Sequence, residues 1–165
     1  MNEFESTNFI HDGIKMTEYE NGPFVVGDYK HNQIEFFHHS HEQWYVARPY
    51  PYGSRIFGYA VVSRPGQVFL FGGCGDWLRK LVTVFKKDEW FIKGYLAQPR
   101  MNFMTITYGT DALIFGGITK NKTNRSVYHF LFQISLSLLL KRCSGLDFEH
   151  KPYFLVEQFC DFNKK

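Results

Sequence analysis

Histidines come first among the residues able to do chemistry. His38, His39 and His41 crowd one short polar stretch, with His31 nearby. On an extended strand His39 and His41 share a face, as two metal ligands would. Glu35 and Glu42 are close in sequence, yet they complete no ligand set of familiar spacing. A solvated, histidine-rich turn is the expectation, with no metal site. Gly72-Gly73-Cys74-Gly75 lacks the Lys-Ser or Lys-Thr that a phosphate loop requires, and Cys74 has no adjacent base to activate its thiol. No G-x-S-x-G elbow and no H-E-x-x-H helix motif is present. The chain is expected to be no enzyme and to need no cofactor. Asn121-Lys122-Thr123 and Asn124-Arg125-Ser126 are glycosylation sequons that matter only in a secreted protein.

Composition says which elements must position these residues. The chain has 165 residues, the length of one domain, and a formal charge of +3 from 19 basic and 16 acidic residues. That balance argues against an electrostatic nucleic-acid binder. Hydrophobic residues make up 44% of the chain, enough for a packed core. Aromatics reach 19%, against only four alanines, and 14 glycines supply turns. Aromatic residues favour pleated strands and alanine favours helices, so the composition predicts an all-β fold. Cys74, Cys143 and Cys160 fit neither a metal spacing nor a disulfide framework. The N-terminus is polar and acidic, unlike a signal peptide. The longest apolar stretch, Phe130 to Leu140, is 11 residues, where a membrane helix needs about 20. A cytoplasmic protein without membrane partners is expected.

One pattern repeats. Phe24-Val25-Val26-Gly27-Asp28 recurs 45 residues later as Phe69-Leu70-Phe71-Gly72-Gly73, and after a further 44 as Leu113-Ile114-Phe115-Gly116-Gly117. Each copy follows a strand-like run and a turn signal: Ile14 to Tyr19 before Asn21-Gly22-Pro23, Gly58 to Ser63 before Pro65-Gly66, and Phe103 to Tyr108 before Gly109-Thr110-Asp111. Third strands are predicted at Ile34 to Phe37, Val82 to Phe85 and Ser126 to Phe130. Fourth strands begin at Trp44 and Trp90, 46 residues apart, and Arg55 and Arg100 are separated by 45. The repeating unit is therefore a four-stranded antiparallel meander.

A hydrophobic run ending in Gly-Gly, then an aromatic, then Trp, at this period, resembles the kelch repeat over about residues 12–130. Gly72-Gly73 and Gly116-Gly117 match its diglycine, Trp44 and Trp90 its tryptophan, and Pro99-Arg100 the Pro-Arg that often opens a unit. Gly27-Asp28 departs from the first diglycine, Phe37 and Phe85 replace a tyrosine, and the third copy lacks its Trp. The resemblance implies a partial kelch-type β-propeller of about three blades, at roughly 12–47, 55–97 and 100–130, the last incomplete. Gly27, Trp44, Gly72, Gly73, Trp90, Gly116 and Gly117 are its repeat-structural residues. Residues 1–11 form an N-terminal tail. Residues 131–165 form a divergent C-terminal tail, in which Phe130 to Arg142 reads as a short helix stopped at Ser144-Gly145 and residues 146–165 as a loosely patterned aromatic and charged segment.

Propellers generally need four to eight blades to close. Fewer blades leave open edges and faces that invite self-association. The chain is expected to be a fragment or alternative product of a larger kelch protein, or else its tail caps the open edge. The rim of loops between and within blades collects Tyr29, Tyr50, Tyr52, Arg55, Trp77, Arg79 and Arg100. These are residue types enriched in interface hot spots. Arg55 and Arg100 have a second reading, as ligands of backbone carbonyls at blade junctions. Function by resemblance is a non-enzymatic module that binds another protein, as in substrate-recognition arms of cullin-RING ubiquitin ligases or in scaffolds. The alternative is an extracellular or carbohydrate-associated propeller, with or without oxidase activity.

Overall fold

The structure, a computed structural model, describes residues 6–11, 14–27, 30–75, 79–108, 111–120, 122–123 and 127–130. Among them every regular element is a strand. The first sheet is β1 (Lys15–Tyr19), β2 (Gly22–Val26), β3 (Ile34–His38) and β4 (Gln43–Ala47), antiparallel and in chain order. The second repeats it with β5 (Ala60–Arg64), β6 (Gln67–Phe71), β7 (Leu81–Lys86) and β8 (Glu89–Tyr95). The third pairs β9 (Met104–Tyr108) with β10 (Asp111–Phe115), and β10 with β13 (Val127–Phe130). A small hairpin, β11 (Ile118–Thr119) with β12 (Lys122–Thr123), is inserted between β10 and β13 and was not foreseen in the sequence. The helix expected in the C-terminal tail lies outside the described residues.

The turns follow from backbone chemistry. Tyr19 pairs with Gly22, which leaves Glu20 and Asn21 as a two-residue loop with φ of 49° and 66°. Lys87 and Asp88 do the same between β7 and β8, with φ of 52° and 57°. Two left-handed residues match the right-handed twist of the strands they join. The first turn thus sits one residue earlier than Asn21-Gly22-Pro23 suggested; Gly22 and Pro23 already belong to β2.

Sheet packing follows from period-2 alternation. On β6, Val68 and Leu70 enter a core shared with Phe24, Val26, Ile34 and Ala47 of the first sheet. Phe69 and Phe71, facing the other way, join Ala112 and Ile114 of the third sheet. The second sheet is therefore covered on both faces, which is why β6 reads as an unbroken apolar run. Sheet contacts centre on the first strands, β1 beside β5 and β5 beside β9. The repeat also holds in atomic detail. Phe57 and Cys74 exchange backbone hydrogen bonds, and so do Met101 and Ile118, each 44 residues further on.

Candidate interaction surface

Two linkers join the three sheets, and both are held rigidly from below. In the first, the Tyr50 N–H donates to the Asn32 carbonyl at 3.0 Å, and Asn32 Nδ2 donates to the carbonyls of Tyr50 (2.8 Å) and Gly53 (3.1 Å). The Arg48 N–H donates to Asp88 Oδ1, and Trp90 Nε1 donates to the Arg48 carbonyl, both at 3.0 Å. In the second, the Leu96 N–H donates to the Lys80 carbonyl at 2.6 Å and the Arg100 N–H to that of Arg79 at 3.1 Å. Tyr50 and Leu96 are thus equivalent buried anchors.

That geometry removes three residues from the expected rim. Tyr50, Arg79 and Arg100 are only 1%, 2% and 1% exposed. Tyr50 lies edge-on to Trp90 and Tyr52, in the core between the first two sheets. The Arg79 guanidinium sits over the Tyr50 ring, 5.6 Å from its centroid, and Nη2 donates to the Arg55 carbonyl at 3.2 Å. Gly53 and Gly75 close around it, so that a Cβ on either would meet its Cζ within 3.0 Å. Arg100 Nη1 donates to the Gly116 carbonyl at 2.8 Å. This arginine therefore takes the carbonyl-binding role at a sheet junction rather than a place on the surface. Tyr29 and Trp77 lie outside the described residues.

Burial pushes the Tyr50 phenol above the usual tyrosine range, opposed by the smaller effects of the Thr83 hydroxyl and the Arg79 charge. In the unfolded chain a tyrosine ionises near pH ~10. The folded state holds Tyr50 neutral to higher pH, so its contribution is whole below that value and is lost as pH rises towards the folded-state value. Wild type should therefore lose stability between about pH 9 and pH 11 more steeply than Tyr50→Phe, as read by urea unfolding at both ends.

Arg79 offers a second test. Its Nε and Nη1 have no hydrogen-bond partner although they are buried. A buried cation that is poorly paired costs more in desolvation than it returns. Arg79→Met removes two unpartnered donors, against one in Arg100, while taking a donor from the Arg55 carbonyl, and is expected to leave stability nearly unchanged. Arg100→Met, which strips the Gly116 carbonyl of its donor, should lower it by about 2 kcal/mol. The thermal midpoint of Arg100→Met should fall clearly below that of Arg79→Met.

What remains at the first junction is a mixed patch. Tyr52 is half-buried and Arg55 exposed. The Tyr52 phenol is raised first by burial and then by the neighbouring Tyr95. The Lys80 ammonium sits 5.6 Å from the centre of the exposed Tyr95 ring. Lys80 and Tyr95 were missed in the sequence because strict alternation puts Tyr95 with Phe91 and Lys93. A β-bulge at Val82/Thr83 places Ile92 opposite Thr83 and Tyr95 opposite Leu81. One extra residue changes the face that follows, and Tyr95 turns towards Tyr52.

The histidines take a different pairing from the expected one. Residues 39–42 form the β3–β4 turn rather than a strand. His38 and His41 stack, with centroids 4.6 Å apart, while His39 packs on Phe37. Ser40 Oγ lies 2.9 Å from His38 Nδ1, and the Tyr45 hydroxyl 2.9 Å from His41 Nδ1. Among the described residues no three metal-ligating side chains cluster. Glu35 is fully buried and serves the N-terminal segment instead. It accepts from Asn8 N (2.8 Å), Asn8 Nδ2 (2.6 Å) and Phe9 N (3.2 Å), and lies 2.7 Å from His11 Nε2. Residues 6–11 are thereby strapped over the outer face of the first sheet. Among the described residues no helix is long and apolar enough to cross a membrane.

Fold and site together define an all-β chain of consecutive antiparallel meanders with a rigid aromatic and basic junction. No protein-family model matches the chain, and no curated protein matches it. Among solved structures it is similar to YjhT, at 13% identity and a TM-score of 0.64, over 77% of this chain and 44% of that one. The chain thus spans less than half the length of YjhT, and at this identity the likeness carries the fold alone.

Proposed function

We propose that the chain is a partial kelch-type β-propeller acting as a non-enzymatic protein-interaction module, and that the Tyr52, Arg55, Lys80 and Tyr95 junction is its recognition surface. The propeller reading is supported by three meanders that pack in sequence order, their first strands side by side. The observation that carries the binding reading is the junction itself. Tyr52 and Arg55 stand on a linker fixed by backbone hydrogen bonds, and Lys80 and Tyr95 beside it at the ends of β7 and β8, so a partner meets rigid aromatic area at little entropic cost. Its partner is another protein, in the manner of a recognition arm or scaffold. We take its compartment to be the cytoplasm, where a free thiol such as that of Cys74 stays reduced.

The test is affinity capture with the full chain and with the Tyr52→Ala/Tyr95→Ala pair. A hot spot is worth about 2 kcal/mol or more, so the double variant should retain its specific partner at least about 30-fold more weakly. Capture that is indifferent to both substitutions would sink the assignment of this surface.

A further inference from the structure

The repeat makes a statement about the third sheet that goes beyond the junction. Phe24 and Val26 of the first sheet face the second; their counterparts Phe69 and Phe71 face the third. Carried 44 residues on, the same positions are Leu113 and Phe115, and those of Ala60 and Val62 are Met104 and Ile106. Ala60 and Val62 are each 4% exposed, whereas Met104 and Ile106 are 70% and 47% exposed. The third sheet thus carries the face that each earlier sheet buries, with its apolar inner strand open to solvent. The reciprocal face belongs to the first sheet. Met16 corresponds to Val61, which packs into the core between the first two sheets, yet Met16 is 58% exposed. Beside Met16 runs a groove of about 360 Å³, bounded by Thr17, Glu18, Asn21, Gly22 and Pro23.

We propose that these two faces meet between two copies of the chain, β9 and β10 of one against β1 of the other, in a closed head-to-tail pair. The inference rests on the reading of the sheets as propeller blades. The contact continues an interface already present twice within the chain, β1 on β5 and β5 on β9. A head-to-tail contact of this kind either closes into a ring or grows into a filament. The matched part of one copy covers 44% of YjhT, so two such parts fit within a structure of that size. The strap of residues 6–11 lies over Glu35 on β3, while Met16 stays exposed on β1, the strand that makes the internal sheet contact.

The experiment is light scattering after size exclusion on the full chain over a range of concentrations, with near-UV circular dichroism alongside. A pair is expected, and Ile106→Glu and Met16→Glu should each raise its dissociation constant at least tenfold. Mixing the two variants should restore pairing, because the mixed pair keeps one intact interface. Amides of β1 and β9 should gain concentration-dependent protection from exchange in the unmodified chain, a readout that needs no variant. A monomer with fixed aromatic signals at all concentrations overturns the pair and leaves the blade reading standing. Pairing indifferent to Met16→Glu, or growth into polymers, overturns the closed head-to-tail geometry. A chain without fixed aromatic signals overturns both readings.

Discussion

Trp90→Ala is expected to lower the free energy of unfolding by about 3–5 kcal/mol, and Trp44→Ala by only about 1 kcal/mol. The two residues hold the same place in the repeat, so the contrast isolates what lies across the sheet from each. Trp90 is 8% exposed, with ring centroids 5.1 Å from those of both Tyr50 and Phe85, and its Nε1 donates to the Arg48 carbonyl. Truncation opens a cavity between two sheets and strips a linker carbonyl of its donor. Trp44 is half-buried and rests on Phe37, with centroids 5.5 Å apart. Its backbone carbonyl, which accepts from Asn8 Nδ2, survives the change. Domains of this size are stable by roughly 5–15 kcal/mol, so the Trp90 variant should show a large drop in urea midpoint. Equal midpoints for the two variants, at concentrations too low for copies to pair, would mean that the first sheet's outer face is as well covered as the inner one.

The repeat was legible because its parts are local. Alternation along each strand, glycines at strand ends and the recurring tryptophans all lie within a few residues of what they determine. The fate of the rim was not legible, because it depends on partners far along the chain. Tyr50, between Pro49 and Pro51, reads as an exposed linker residue until Asn32, 18 positions back, draws its backbone inward. Arg79 is enclosed by Gly53 and Gly75, and nothing in its own neighbourhood announces that. The histidine stretch went astray for a simpler reason. A four-residue turn breaks period 2, so His38 meets His41 and His39 turns away. Tyr95 shows how little is needed: one bulge in β8 moves it to the face of Trp90.

Gly73→Ala brings the repeat's own chemistry to a measurable number, and its control is Gly66→Ala. Gly73 has φ of 88°, and Gly66 has φ of 65°. Both positions strain an L residue, by about 1 kcal/mol or somewhat more. They differ in surroundings. A Cβ on Gly66 would meet nothing within 4 Å, whereas one on Gly73 would lie 2.8 Å from Tyr59 Cβ and 3.0 Å from the Phe57 carbonyl. Neither neighbour can yield. Phe57 is held by its paired hydrogen bonds with Cys74, and Tyr59 donates its buried hydroxyl to the Val26 carbonyl of the first sheet. The Gly73 N–H also donates to the Arg100 carbonyl at 2.9 Å, so a shift would loosen the second linker as well. Gly66→Ala should cost about 1 kcal/mol and Gly73→Ala about 3 kcal/mol or more. Gly117 repeats the arrangement, a Cβ there lying 2.8 Å from Phe103 Cβ and 2.9 Å from the Met101 carbonyl. Gly117→Ala should therefore track Gly73→Ala in chemical denaturation, and a cost nearer that of Gly66→Ala would mean the diglycine answers to backbone angle alone.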